Sequence, residues 1–149
     1  MTKMAVIQDS GAAKKLCTLP CVLMRAGTSK GPFIHRKNLP QNEAEWAPHL
    51  ISALGSTGCD PRQIDGVGGG TSTTSKVAVV APSSRDDMDV DFTFVQVAVG
   101  KESIDLTGNC GNFISGVGPF AVQEGLVQPE KGASTVSFLR LLDPLRICC

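Results

Sequence analysis

Apolar runs in this chain are short, and Gly-rich or hydroxyl-rich stretches separate them. Leu19 to Met24 reads as a buried strand, Arg25 to Gly31 as a polar turn, and Pro32 to His35 as a short return strand. Trp46, Leu50, Ile51 and Leu54 share one helical face, which predicts a helix over about Glu45 to Leu54; Pro48 is tolerable only in its first turn and Gly55 ends it. Val77 to Ala81 is a strand, and Val90 to Val99 is the longest strand candidate. In the latter, Val90, Phe92 and Phe94 keep one phase while Val95, Val97 and Val99 keep the other. Either both faces are buried or a bulge lies near Phe94 and Val95. Ile104 to Leu106 is a short strand, and Ser134 to Arg140 another. Between them, Phe113, Ile114, Val117, Phe120, Ala121 and Val122 cover most of a helical wheel, predicting a helix over Asn112 to Glu124 buried on nearly all sides. Gly125 stops it; Gly116, Gly118 and Pro119 weaken it, so packing must hold it together.

Composition narrows the function classes. Lys plus Arg equals Asp plus Glu at 14 each, so no strong field invites nucleic acid or an anionic membrane. One Trp, no Tyr and six Phe make a poor stacking platform for bases. No apolar run approaches the roughly 18 residues of a membrane span. Residues 1–18 lack the central apolar region of a secretory signal and read as a disordered leader. Six cysteines without such a signal predict reduced thiols and a cytoplasmic protein. Cys17 and Cys21 have no second pair at zinc spacing, and His35 and His49 join no ligand set, so no metal is expected.

Three stretches carry chemistry. Arg25-Ala-Gly-Thr-Ser-Lys-Gly31 either holds a carboxylate through guanidinium, hydroxyl and backbone N–H groups or is an ordinary hairpin loop. It lacks Walker spacing. Asp65-Gly-Val-Gly-Gly-Gly-Thr-Ser-Thr-Thr-Ser-Lys76 concentrates glycines, which makes sense where backbone must approach something closely or take positive φ. It runs straight into an apolar strand, unlike a flexible linker, and does not fit a dinucleotide fingerprint. Gly108-Asn-Cys-Gly-Asn112 puts Cys110 at a helix mouth, where free N–H groups and the dipole favour an anion; the alternative is a small residue in a tight turn.

Together, and with Val117-Gly-Pro-Phe-Ala121, these stretches resemble the PrpF family in order and spacing over about residues 19–136. The family includes 2-methylaconitate cis-trans isomerases and aconitate, methylitaconate and oxalomesaconate relatives. The resemblance implies an α+β, diaminopimelate-epimerase-like domain, a curved sheet wrapped around a central buried helix, with two such domains flanking an active-site cleft. It implies a cofactor-independent isomerase that shifts a proton and double bond in an unsaturated di- or tricarboxylic acid. Lys76 matches the family's lysine and is the candidate base; a lysine accepts protons only when neutral, which burial or a cation such as Arg25 favours. Cys110 matches the acid or base of the epimerase relatives and ranks second. Arg25, Thr28, Ser29, Ser75, Asn109, Gly111 and Asn112 are expected to bind carboxylates and the developing oxyanion.

The likeness fades after Val136, so residues 137–149 are expected to be a divergent tail and the family's second domain to be absent. Cys148-Cys149 does not match a prenylation motif. As such a truncated chain, the protein is expected to be inactive or weak and to self-associate through an exposed inter-domain surface. The alternative is a non-catalytic fragment that binds a dicarboxylate or pairs with a full-length relative.

Overall fold

Strand β4 (Lys76–Pro82) owes its central place to having no polar face: Val77, Ala78, Val79 and Val80 are all buried, so both sides must be covered. The computed structural model describes residues 2–8, 15–58, 60–129, 135–140 and 143–148, with side chains described within 18–58, 60–129 and 135–138. Among these residues β3 (Ser29–His35) lies parallel to β4, with Phe33 opposite Ala78. On the other side β5 (Val90–Val97) runs antiparallel, in unbroken register from Pro82 opposite Val90 to Lys76 opposite Gln96. The sheet extends outward through β2 (Lys15–Ala26) and β1 (Thr2–Gln8) at one side. Beyond β5 lie β6 (Ile104–Asp105), β7 (Ser137–Arg140) and β8 (Asp143–Cys148).

The continuous β4–β5 register resolves the two-phase pattern of β5: both faces are buried and no bulge interrupts the pairing with β4. Val95 and Val97 join Val77, Val79 and Ile34 beneath helix α1 (Trp46–Leu54), which contributes Trp46, Leu50, Ile51, Ala53 and Leu54. Phe92 and Phe94 join Ala78, Val80 and Phe33 beneath helices α2 (Gly111–Ile114) and α3 (Val117–Gln123). Each such side chain contributes about 1.5–3 kcal/mol on full burial. Helix α1 starts one residue later than the periodicity predicts, with Pro48 in its first turn and Gly55 at φ 74° as its left-handed stop.

Four sequence expectations need correction. The helix after Cys110 is broken at Ser115 and Gly116: Pro119 has no N–H to donate, and Gly116 lies so near Phe33 that a Cβ would sit 2.5 Å from its ring. Nor is it buried all round, since Asn112, Ser115, Pro119 and Gln123 form an exposed stripe. The polar turn shrinks to Gly27 and Thr28; Ser29 to Gly31 already belong to β3, because a two-residue turn with φ 55° at Gly27 matches the twist of a hairpin. The leader also differs from expectation. Thr2–Gln8 pairs with Lys15–Cys21, the β-forming run Ala5-Val6-Ile7 finding a hairpin partner. Phe138 is buried edge-on against Phe92, ring centres 6.2 Å apart, so the core continues past Val136.

A Cβ at Gly31 would lie 2.1 Å from the Lys76 carbonyl oxygen, whereas one at Gly111 would meet nothing within 4 Å. Gly31→Ala should therefore force β3 away from β4 and cost about 1–3 kcal/mol. Gly111→Ala should stay within about 0.5 kcal/mol. Urea denaturation of the two variants checks this; equal stability would show that the β3–β4 approach has slack.

Candidate active site

Parallel β3 and β4 begin at the end of the sheet where antiparallel β2 and β5 finish. The hairpin turn, the loop before β4 and the segment entering α2 therefore gather there. Gly31's lack of a side chain lets β3 close on Lys76, and Phe113 packs over the same spot. Lys76 shares the α2 side of β4 with Ala78, is 7% exposed, and donates from Nζ to the carbonyl of Ser72.

Two bonds latch the hairpin to α2. Asn112 Nδ2 donates to Thr28 Oγ1 at 2.8 Å, and Ser29 Oγ lies 3.8 Å from Cys110 Sγ. Gly27 makes the first possible, since a Cβ there would fall 2.5 Å from Asn112 Oδ1. Asn109 Oδ1 accepts the Cys110 N–H at 2.8 Å. That N–H is thus occupied within the chain, and α2 is a single turn of four residues. The dipole argument for an anion at Cys110 is correspondingly weaker than the sequence suggests. Gly111 opens α2 and is exposed.

The structure separates two expected residues from this group. Ser75 is fully buried, with its hydroxyl 2.8 Å from Gln63 Oε1 and 2.7 Å from the Thr71 carbonyl; alternation turns it toward the α1 side with Val77. It holds the loop rather than lining the site. Arg25 is exposed and donates from Nε to its own turn at Gly27 O, 3.1 Å. Alternation puts it on the side of β2 opposite Ala26, so it is not the cation beside Lys76.

Sequence reasoning missed the residues that hold these loops. Gln63 is 1% exposed, with φ 56°, and its amide donates to Ser56 Oγ at 2.6 Å and accepts the Gly70 N–H at 2.9 Å. Gly68 lies so close that a Cβ would meet Gln63 Oε1 at 2.2 Å, and a Cβ at Gly66 would meet Gly55 N at 2.1 Å. The glycines of the loop thus approach α1 and a buried amide. Asp105 ties down the other loop: its Oδ1 accepts from Thr107 N at 2.8 Å and Thr107 Oγ1 at 2.6 Å. A lone Gln or Asp in a turn carries no sequence signal of such a role.

No group of three or more His, Cys, Asp or Glu residues among those described could hold a metal, and no helix among them is long and apolar enough to cross a membrane. A cavity of about 620 Å³, lined by His35, Arg36, Val80, Pro82 and Leu126 among others, lies at the opposite end of β3 and β4.

Cys21 is buried, and that burial pushes its thiol up to about 11. Cys110 is half-buried. Iodoacetamide near neutral pH should modify Cys110 while Cys21 stays intact until the chain unfolds, as peptide mass mapping would show. Cys59 lies outside the described residues. Comparable labelling of Cys21 in the folded chain would contradict this.

The Thr107 hydroxyl and N–H, with help from Gly108 N–H, hold the Asp105 carboxyl below the usual range. A lowered folded value means that the tie is fully present above the ordinary Asp value and is lost as pH falls through the lower one. Carboxyl ¹³C NMR should find Asp105 titrating below about 3.9, and Thr107→Val should raise its midpoint. An unchanged midpoint in that variant would exclude Thr107 as the main cause.

Comparison with known proteins agrees with the motifs. The chain is 50% identical over 117 residues to 4-oxalomesaconate tautomerase of Pseudomonas putida, covering 78% of this chain and 32% of the relative. It is 42% identical over 131 residues to 3-methylitaconate isomerase of Eubacterium barkeri, covering 87% and 31%. The crystal structure of a methylitaconate-delta-isomerase superposes with a TM-score of 0.82 at 36% identity, over 98% of this chain and 34% of that one. The chain thus spans about a third of the length of these relatives. The PrpF protein model matches residues 16–143, and the chain belongs to the PrpF family.

Proposed function

We propose that this chain supplies the Lys76 half of a cofactor-independent isomerase acting on an unsaturated di- or tricarboxylic acid. The observation that carries the reading is Lys76 itself: a buried lysine at the start of the central strand, held by a carbonyl, at the sheet end that also bears Cys110. Neutral Lys76 takes a proton from a carbon in conjugation with a carboxylate, breaking that C–H bond. The electron pair spreads through the allylic-carboxylate system, and a new C–H bond forms at the far allylic carbon as the double bond moves. Lys76 or the Cys110 thiol returns the proton. Thr28, Ser29, Asn109, Gly111 and Asn112 line the same end and offer donors to carboxylate oxygens. The relatives' names support the substrate class, since they denote isomerisation of oxalomesaconate and methylitaconate.

In this reading the fold is epimerase-like, with a second α+β unit facing the exposed stripe of Asn112, Ser115, Pro119 and Gln123. The protein works in the cytoplasm. The one-third coverage favours a second reading: the 149 residues alone bind a dicarboxylate or a longer relative without turnover, and self-associate through that uncovered surface. An open site weakens electrostatic interactions that would be strong in a closed one.

The test follows isomerisation of 2-methylaconitate, trans-aconitate and 3-methylitaconate by the chain alone and by the chain extended with the remainder of the Eubacterium barkeri isomerase. The extended form should turn over at least one acid, and Lys76→Ala should lower its kcat/KM by about 10²–10⁴-fold. Cys110→Ser should do less harm. The chain alone should be feeble and should migrate above monomer size in gel filtration. Full activity in the Lys76 variant would remove it as the base; a monomer turning over at about 10 per second would show that 149 residues suffice.

A further inference from the structure

Gln96 on β5 stands directly opposite Lys76 in the sheet register, and Asp105 on β6 stands opposite Gln96. Directly paired residues share a side of the sheet, so the three form one row across β4, β5 and β6. The Gln96 amide does not point idly into solvent. Its Nε2 lies 2.8 Å from the Ser75 carbonyl, 3.2 Å from that of Val97 and 3.3 Å from that of Ser72. Ser72 O is also the acceptor that holds Lys76 Nζ.

We propose that Gln96 is a positioning residue for Lys76, acting through the carbonyl of Ser72 that the two side chains share. The role as positioner of a catalytic group rests on the isomerase reading; the shared carbonyl does not. By cross-linking Ser72 and Ser75, Gln96 pins both ends of the short 3-10 turn Ser72–Thr74, and with it the acceptor that fixes Nζ. Its N–H also uses part of the electron density of Ser72 O, leaving less for an ammonium. The first effect keeps Nζ in place, and the second leaves the shared carbonyl stabilising an ammonium less than it would alone.

The other groups around Lys76 bring little competing charge. From β3 comes Gly31, while Lys30 alternates to the far side; from the loop comes the Ser72 carbonyl. The titratable groups on the same side are Asp105 in the row, committed to Thr107, and Cys110 before α2, beside Ser29. Asp105 is bonded to Thr107 and Cys110 lies against Ser29, so a change at Gln96 is expected to read out on Lys76 through the Ser72 carbonyl.

The experiment titrates the lysine side chains of the 149-residue chain by ¹³C NMR, with Lys30, Lys37 and Lys101 as internal references. Gln96→Met keeps the length of the side chain and removes its donors. Gln96→Asn keeps an amide but stops one methylene short, and decides the matter alone if the Met variant does not fold. Thr93→Ala, which destabilises the same strand without touching the loop, is the control for general loosening. The expected result is an upward shift of the Lys76 midpoint in both Gln96 variants, larger than any change at the reference lysines, and no shift in Thr93→Ala at a comparable loss of Tm. A Lys76 midpoint that stays put in a folded Gln96 variant, or that moves equally in Thr93→Ala, overturns the proposal. Because this readout needs no turnover, it stands apart from any failure of the isomerase assay.

Discussion

The β3–β4 approach at Gly31 sets the position of everything chemical in this chain. With no Cβ on Gly31, the start of β4 can lie against β3 closely enough that the Lys76 carbonyl occupies the space a side chain would fill. Phe113 then packs over the glycine, with its ring 4.7 Å from that of Phe33. The start of α2 is thereby placed relative to β3, and Cys110 and Asn112 with it. A parallel β3–β4 pair also means that both strands begin at the same end. Lysine, cysteine and hairpin hydroxyls lie at one end of the sheet because of that one geometric choice.

The loop before Lys76 is held in a different way. Four glycines among residues 66–70 would cost conformational entropy on ordering, about 0.5–1 kcal/mol each relative to alanine. Gln63 offsets this by supplying a buried amide around which the loop closes, joined to Ser56, Gly70 and Ser75. Removing either side of such a buried bond leaves an unsatisfied group worth about 1–3 kcal/mol. The loop is therefore rigid for reasons remote from any ligand. Its hydroxyl run is largely spent internally, Thr71, Thr73 and Thr74 bonding one another and Ser75 bonding Gln63.

That distinction explains which parts of the site were legible in the sequence. Periodicity found α1, β4 and β5, since their apolar positions repeat at the spacing of their geometry. It misjudges the helix after Cys110 because packing does not carry the helix through the weak points at Gly116 and Pro119. Motif spacing found Lys76, Cys110, Thr28, Ser29 and Asn112, which the fold does gather at one end. It over-read Ser75, whose neighbour Lys76 faces the site while Ser75 itself, one residue earlier in a strand-like alternation, must face away. It could not find Gln63, Gln96 or Asp105, because their partners are hydroxyls and backbone groups of kinds common along any chain.

The latch between the hairpin and α2 carries a further consequence. Thr28 and Asn112 satisfy each other at 2.8 Å, yet both are exposed. On the proposed isomerase reading, a carboxylate arriving there meets groups already oriented, and the Asn112 amide keeps a second N–H for it. The bond fixes two side chains that would otherwise lose rotamer freedom on binding, so their ordering is met during folding. Ser29 differs, being buried and 3.8 Å from the Cys110 sulfur. A sulfur contact of that length is weak, so the Asn112–Thr28 bond carries most of the latch. Strong bonds thus fix Thr28 and Asn112, and the weakest contact of the latch is the one that reaches the Cys110 sulfur.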